Sequence, residues 1–358
     1  MTPSHPLDGG PSPLRRFALP ALFVLGLFAL LWLRAPTHGS SAGEREAVFD
    51  GRVMGTTWKV KVIAAKGQDP SPVQRAAAEA LMAVDREMST YKPDSLLMRL
   101  NRQPVHKPLQ ISASLRRVLL AAAEVSQRSG GAFDITVGSL VDAWGFGPKG
   151  AGQAPDAATI QRLRAQMGWQ KLKLGPMDAT RTTEGLRLDL SAIAKGFGAD
   201  EAARAVEALG FHRYMVEVGG EVCVKGKNLS GQPWQLGVEK PDTPTREAIT
   251  VLGLSSGAMA TSGDYRKYRE VDGKRVSHSI DPRTGRPITH QLASVSVLAD
   301  DCMTADAWAT ALSVLGPKEG LEIAEREGIA AYMLVRQGNG FDALQSSHFR
   351  SRNENGEE

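Results

Sequence analysis

Cysteine is nearly absent. Cys223 and Cys302 are the only two in 358 residues, far apart and without a CxxC neighbour, which excludes a cysteine zinc site and a disulfide framework. With none before Cys223, lipid modification of an N-terminal cysteine is excluded as well. Cys223 lies in the strand-like run EVCVKG and Cys302 precedes a helical pattern, so both are expected as buried free thiols. An excess of one charge is lacking too. The 43 Lys and Arg against 39 Asp and Glu leave +4, and Arg15, Arg16 and Arg34 against Asp8 supply +2 of that. The rest is spread without long basic runs and gives no footprint for nucleic acid. No G-x-x-x-x-G-K-[ST] occurs, hence no P-loop, and no G-x-S-x-G elbow of a serine hydrolase. GFGADEA lacks the setting of a dinucleotide fingerprint, and no repeat of solenoid or propeller period is present.

What the chain does have begins with an apolar run, Phe17–Leu33, flanked by arginines. As a helix it would span ~26 Å, a little short of the ~30 Å hydrocarbon layer. That length suits a short membrane anchor or a long signal-peptide core. THGSSAG offers small residues but no clean A-x-A site, so an uncleaved anchor is favoured. Arg15 and Arg16 favour an N-in orientation that exports the chain beyond residue 40. The expected division is a cytoplasmic N-terminus over 1–16, an anchor or signal segment over 17–33, a linker over 34–46, a domain over 47–340 and a loose polar tail over 341–358.

Within the domain, GRVMGTTWKVKVIA alternates like a half-buried strand. Helices are expected over 71–88, 113–128 and 156–167, and strands at 171–175 and 186–190. A strand end, a small-residue turn and a long helix are read in LDLSAIAKGFGADEAARAVEALG. RYMVEVGGEVCVKG reads as a hairpin across a glycine pair. Short strands continue at 234–239, 248–254, 275–280 and 294–299, then the helix of TADAWATAL, another from about 317, and the strand AAYMLV. Helices with mostly hairpin-linked strands make the fold α+β, with mixed, mostly antiparallel sheets and packed helices.

Four stretches carry chemistry. GGAFDITVGSL sets Asp134 and Thr136 after a glycine pair. LDLSAIAKGFGAD brings Lys195 to a helix start, where free backbone N–H groups suit a phosphate. SHSIDPRTGRP holds His278 and Asp281 in a Pro-containing turn. In TADAWATAL, Asp306 and Thr310 lie four residues apart on one helix face. The residues of the last pair read as a solvated face, or as a Thr bonding back to a carbonyl one turn earlier.

In the order VMGTTW, MSTYKPDSLLMRLN, GGAFDITVGSLVDAWGFGP, LDLSAIAKGFGAD, VEVGGEV, TSGDYRKY, HSIDPRTGRP and TADAWATAL, the chain closely resembles the ApbE-type flavin transferases from about residue 50 to 335. The resemblance implies an FAD:protein FMN transferase that uses Mg²⁺, attaches FMN from FAD to a Thr or Ser of a target protein through its phosphate, and releases AMP. It implies FAD contacts from Met54, Tyr91, Ala132, Phe133, Asp134, Asp189 and Lys195. Metal ligation would come from the Ala192 carbonyl with the side chains of Asp306 and Thr310. His278 would take the proton of the attacking hydroxyl, and Asp281 would either orient it or cap the turn. The partners so implied are FAD and a flavoprotein subunit facing the periplasm. The N-terminal helix would hold the domain on the periplasmic side of the inner membrane. Ser191-Ala192 stands where the family often has Gly-Gly, and Glu221 where it often has Asp, which leaves the polar contact at 221 open. Without an acceptor-like run in this chain, self-flavinylation is not expected. Two rival functions remain at this level, an FAD pyrophosphatase giving FMN and AMP and a non-catalytic flavin-binding protein at the membrane.

Overall fold

A computed structural model describes residues 43–354, apart from 149, 151–152, 242–246, 264–267, 272–273 and 339. The expected membrane segment 17–33, most of the linker and Asp264–Lys267 of the TSGDYRKY run lie outside the described residues. Among the described residues, no helix is long and apolar enough to cross a membrane.

One eight-stranded sheet organises the domain, and its spatial order is its chain order. The strands are β1 (Arg45–Val53), β2 (Thr56–Ala64), β3 (Tyr214–Val218), β4 (Glu221–Lys225), β5 (Ser256–Gly263), β6 (Leu292–Ala299), β7 (Ala330–Gln337) and β8 (Gly340–Gln345). Each runs antiparallel to the next. The long connection from β2 to β3 carries α1 (Pro72–Met88), α2 (Ala113–Arg128) and α3 (Ala194–Ala208), and α4 (Cys302–Glu327) links β6 to β7. The fold is thus α+β with a large antiparallel sheet.

Both faces of this sheet are covered, which explains why β6 is buried along nearly its whole length. Alternate residues sort by face, as strand geometry requires. Cys223, Ala258, Ala260, Val295 and Val297 face the helices, whereas Val222, Val224, Met259 and Leu298 face the hairpin Trp234–Leu254. By the same parity Glu221 and Ser262 lie on the helix side.

Several expectations are corrected. The single strand expected over GRVMGTTWKVKVIA is the hairpin β1–β2, whose first strand starts inside the expected linker. Its turn is Met54–Gly55, at φ 51° and 70°. A two-residue turn with both central φ positive matches the strand twist, but Met is no turn residue, so the sequence hid it. Residues 186–190 alternate like a strand yet make only an isolated bridge, Val137 with Arg187. They are held by two backbone bonds to Ile135 and Gly138 and by a side chain: Asn101 Nδ2 donates to Leu188 O (2.9 Å) and its Oδ1 accepts from Leu188 N (2.7 Å). The run 275–280 divides into Lys274–Ser277 and Ile280–Asp281. The tail is not loose through its described part. β8 closes one edge of the sheet, and the helix Ser347–Glu354 buries Phe349 against Tyr332, ring centroids 5.3 Å apart. α4 breaks at Gly316 (φ 80°) before Pro317, in line with the two helices expected there.

Candidate active site

The site grows from the crossing of α3 and α4. A helix leaves its first N–H groups unpaired, and at α4 carboxylates meet them. Asp301 accepts from Thr304 N at 2.9 Å. Asp200, reaching across from α3, accepts from Cys302 N (2.8 Å) and Met303 N (3.0 Å), and also from Cys223 Sγ (3.1 Å). Burial raises the Asp200 carboxyl, and these donors oppose it. The two cysteines are free and buried, as expected.

One turn further on, Asp306 Oδ2 accepts the backbone N–H of Gly196 at 3.0 Å. Only glycine permits this approach, since a Cβ on Gly196 would lie 2.2 Å from Cys302 O and 2.8 Å from Asp306 Cβ. Asp306 is 3% exposed, so the solvated-stripe reading fails for it. Burial pushes its carboxyl up, and the Lys195 charge and the Gly196 bond hold it down. Thr310, on the same face, brings Oγ1 to 3.1 Å from Ser262 Oγ on β5. Ala192 lies in the turn entering α3, just before Lys195.

Lys195 Nζ makes a short ion pair with Glu221 Oε1. Glu221 is 2% exposed, and its Oε2 has no hydrogen-bond partner. Burial works against the Lys195 ammonium, but the charges of Asp306 and Glu221 outweigh it and raise its pKa. Burial, opposed by Lys195 and reinforced by Asp306, raises the Glu221 carboxyl. One ammonium is therefore shared by two buried carboxylates. The orphaned oxygen and the surplus of negative charge fit a cation. Among the described residues no group of three His, Cys, Asp or Glu is placed to hold a metal, and what Asp306 has beside it on its helix face is the Thr310 hydroxyl, with that of Ser262 behind it. Such hard oxygens suit Mg²⁺, which takes few ligands from protein.

A second group is joined through the backbone. Asp189 N donates to Ile135 O at 2.7 Å and Gly138 N to Arg187 O at 3.1 Å, which sets Asp189 beside the Ala132–Asp134 run. Asp134 is already engaged: Oδ1 accepts from Thr136 N (2.8 Å) and Oγ1 (2.7 Å), and Oδ2 from Trp169 N (3.1 Å). Its carboxyl is raised, chiefly by burial. Ala132 and Phe133 are buried, so their backbone is what they offer a ligand. Met54, in the left-handed region, sets Sδ 3.5 Å from where a Cβ of Gly198 would stand on α3. A non-glycine residue held there is a mark of functional sites. Tyr91 is 67% exposed, a free aromatic face.

His278 belongs to a third group, with Phe146 edge-on at 6.4 Å between ring centroids. Trp144 Nε1 donates to Gly285 O at 2.9 Å, tying the Trp144–Gly147 loop to the turn after His278. Asp281 is engaged in its own turn. Its Oδ1 accepts from Arg283 N (2.8 Å) and Nε (3.1 Å), and its carbonyl from Gly285 N (2.7 Å). It caps the turn and pairs with Arg283.

Sequence reasoning passed over Asp200, Asn101 and Ser262 and left Glu221 open. The parity of β4 and β5 is the available signal for Glu221 and Ser262; Asp200 and Asn101 end the stretches LDLSAIAKGFGAD and MSTYKPDSLLMRLN, but their partners lie far along the chain.

The ApbE family model matches residues 54–333. The FAD:protein FMN transferase of Haemophilus influenzae is 43% identical over 316 residues, covering 86% of this chain and 91% of that protein. The FAD:protein FMN transferase of Klebsiella pneumoniae is 38% identical over 320 residues, 88% and 91% of the two chains. Among solved structures, the flavin transferase ApbE from Vibrio cholerae superposes with a TM-score of 0.79 at 38% identity, over 86% of this chain and 99% of that one. The apo form of the Pseudomonas stutzeri flavinyl transferase ApbE gives 0.80 at 37%, over 87% and 97%.

Proposed function

Because this chain belongs to the ApbE family, whose named relatives are transferases, we propose that it is an FAD:protein FMN transferase working with Mg²⁺ on a Thr or Ser of a target protein and releasing AMP. The observation that carries the reading is the buried Asp306 carboxylate held against the first turn of α3, beside Lys195 and one turn from the Thr310 hydroxyl.

In the reaction, the target hydroxyl oxygen bonds to the phosphorus on the FMN side of the FAD pyrophosphate. The bridging P–O bond breaks, AMP leaves with the electron pair, and the hydroxyl proton passes to an imidazole nitrogen of His278, a group that exchanges protons near neutral pH. The Ala192 carbonyl and the side chains of Asp306 and Thr310 would hold Mg²⁺, which when bound would supply charge compensation on the pyrophosphate oxygens. At the start of α3 the N–H groups of Ala194 and Gly196 are already bonded, to Leu190 O and Asp306 Oδ2, so the expected free N–H groups are not there and the Lys195 side chain is the group suited to the phosphates. Tyr91 offers an aromatic face to a flat ring of FAD, and Met54, Asp189 and the backbone of Ala132–Asp134 border the ligand. The same reading has residues 17–33 hold the domain at the inner membrane, facing a flavoprotein subunit in the periplasm.

The test mixes the chain with FAD, Mg²⁺ and such a subunit, and looks by mass spectrometry for an FMN-sized addition on a Thr or Ser. Free FMN and AMP formed equally well without acceptor, and no adduct with it, would establish the pyrophosphatase instead.

A further inference from the structure

We propose that Glu221 is a positioning residue that draws the Lys195 ammonium away from Asp306 and so leaves that carboxylate available to a divalent cation. The inference rests on the metal reading of Asp306 given under the proposed function.

Three charges set the problem. Glu221 and Asp306 are 2% and 3% exposed, and among the described residues the ammonium paired with Glu221 is that of Lys195. Asp306 bonds the N–H of Gly196, the residue next to Lys195, so it lies within reach of the lysine side chain. A lysine folded onto Asp306 would neutralise the only charged ligand of the metal, and the cation would have to displace it. The pair is made instead with Glu221. Glu221 is well fixed for this. It opens β4 directly after the turn Gly219–Gly220, both at positive φ, and pairs across it with Val218. Its side chain lies on the helix-facing side, with Oε1 on Lys195 and Oε2 unpartnered. Among the described residues Lys195 is the cation paired with that carboxylate, so its charge acts on Lys195. An amide there keeps the shape but loses the pull.

The test measures metal binding and not turnover. Manganese(II) takes the same oxygen ligands as Mg²⁺, and its electron paramagnetic resonance signal counts bound ion on the full chain saturated with FAD and without acceptor. Glu221→Gln is expected to weaken manganese binding roughly 10- to 100-fold, the scale of an ion pair forming at the partly screened Asp306. Glu221→Asp should restore part of the affinity. In a Lys195→Met background, Glu221→Gln should have little further effect, because the competitor is gone. An equal loss in both backgrounds would mean that Glu221 acts only as a distant negative charge, and the proposal fails. It also fails if Glu221→Gln lowers thermal stability while manganese affinity stays at the wild-type value. Asp306→Asn separates the two levels. If it leaves manganese binding intact, or if the wild type binds none, the metal reading itself falls. If it abolishes binding while Glu221→Gln does not weaken it, only the role of Glu221 falls.

Discussion

The Asp306 carboxylate and the Gly196 backbone N–H meet at 3.0 Å, and this bond locks the start of α3 to α4 where the proposed metal would sit. The two residues can be perturbed separately. Gly196→Ala drives a Cβ into Cys302 O and should cost about 1–3 kcal/mol, as overpacking does, with metal-dependent turnover lost as the helices part. Asp306→Asn keeps an acceptor for the N–H and removes the charge. Its denaturation midpoint should stay near that of the wild type while turnover at any Mg²⁺ concentration collapses. Denaturant melts alongside rate-versus-Mg²⁺ curves check both; a stable, active Gly196→Ala would refute the close approach.

Thr310 is the milder half of the pair. Its hydroxyl meets Ser262 on β5, a bond in which either oxygen can donate; with its lone pair on a metal, the Thr310 hydroxyl would have Ser262 Oγ as an acceptor within reach. Thr310→Val keeps the volume and should raise the Mg²⁺ requirement with little change in stability. Excess Mg²⁺ should rescue it in part and hardly rescue Asp306→Ala, because water replaces a neutral ligand more readily than a carboxylate. Wild-type Mg²⁺ curves for both variants would remove the metal site.

How much of the fold and the site was legible in the sequence depends on the range of the interaction. Helix 113–128 and strands 234–239 and 248–254 coincide with the expected bounds, because periodicity and flanking turns are local. Asp306 and Thr310 stood out through one helical turn. Residues 186–190 misled because alternation reports a half-buried extended chain, and an Asn101 side chain can hold such a chain as well as a neighbouring strand does. Met54 concealed a hairpin because its left-handed backbone is imposed by strands β1 and β2. The Glu221–Lys195 pair joins residues 26 apart, and Ser262 meets Thr310 across 48. No window on the sequence spans those distances; the sheet order supplies them.

Burial raises the Glu221 carboxyl above its ordinary value, which gives a stability slope of definite sign. Between the ordinary carboxylate range and neutrality the folded chain keeps on Glu221 a proton that the unfolded chain has lost, and above neutrality it holds the carboxylate that pairs with Lys195. Stability contributed by this group is therefore full below the ordinary range and lost as pH rises through the raised value. In chelator, urea midpoints of the wild type should fall across that interval, and Glu221→Gln should flatten the fall. A slope identical in the two proteins would assign it to other groups.

Trimming the chain to Glu44 is expected to leave the sheet intact, and trimming it further to break the sheet. β1 begins at Arg45, and Glu44 pairs with Arg213 at 2.8 Å. A fragment from Glu44 should be soluble and as active as the full chain on a soluble acceptor. One from Val53 removes an edge strand, uncovers β2 and should aggregate. Size-exclusion chromatography and FMN transfer decide it, and an inactive Glu44 fragment cured by restoring residues 17–33 would make that segment part of the fold.

His278 separates chemistry from binding. Asp281 is engaged in its own turn and with Arg283. Phe146 stands edge-on to the imidazole, and its loop is fastened by the Trp144–Gly285 bond. A general base acts on the proton of the incoming hydroxyl, which is absent when FAD binds, and contributes about 10²- to 10⁴-fold. His278→Ala should therefore lower transfer by that order and leave FAD affinity, tracked by flavin fluorescence, close to the wild-type value. Phe146→Leu should lower transfer less, by loosening the ring against which His278 stands, and Trp144→Phe should act the same way through the loop. If His278→Ala weakens FAD binding in proportion to the lost rate, the imidazole positions the flavin, and the proton must leave by another group.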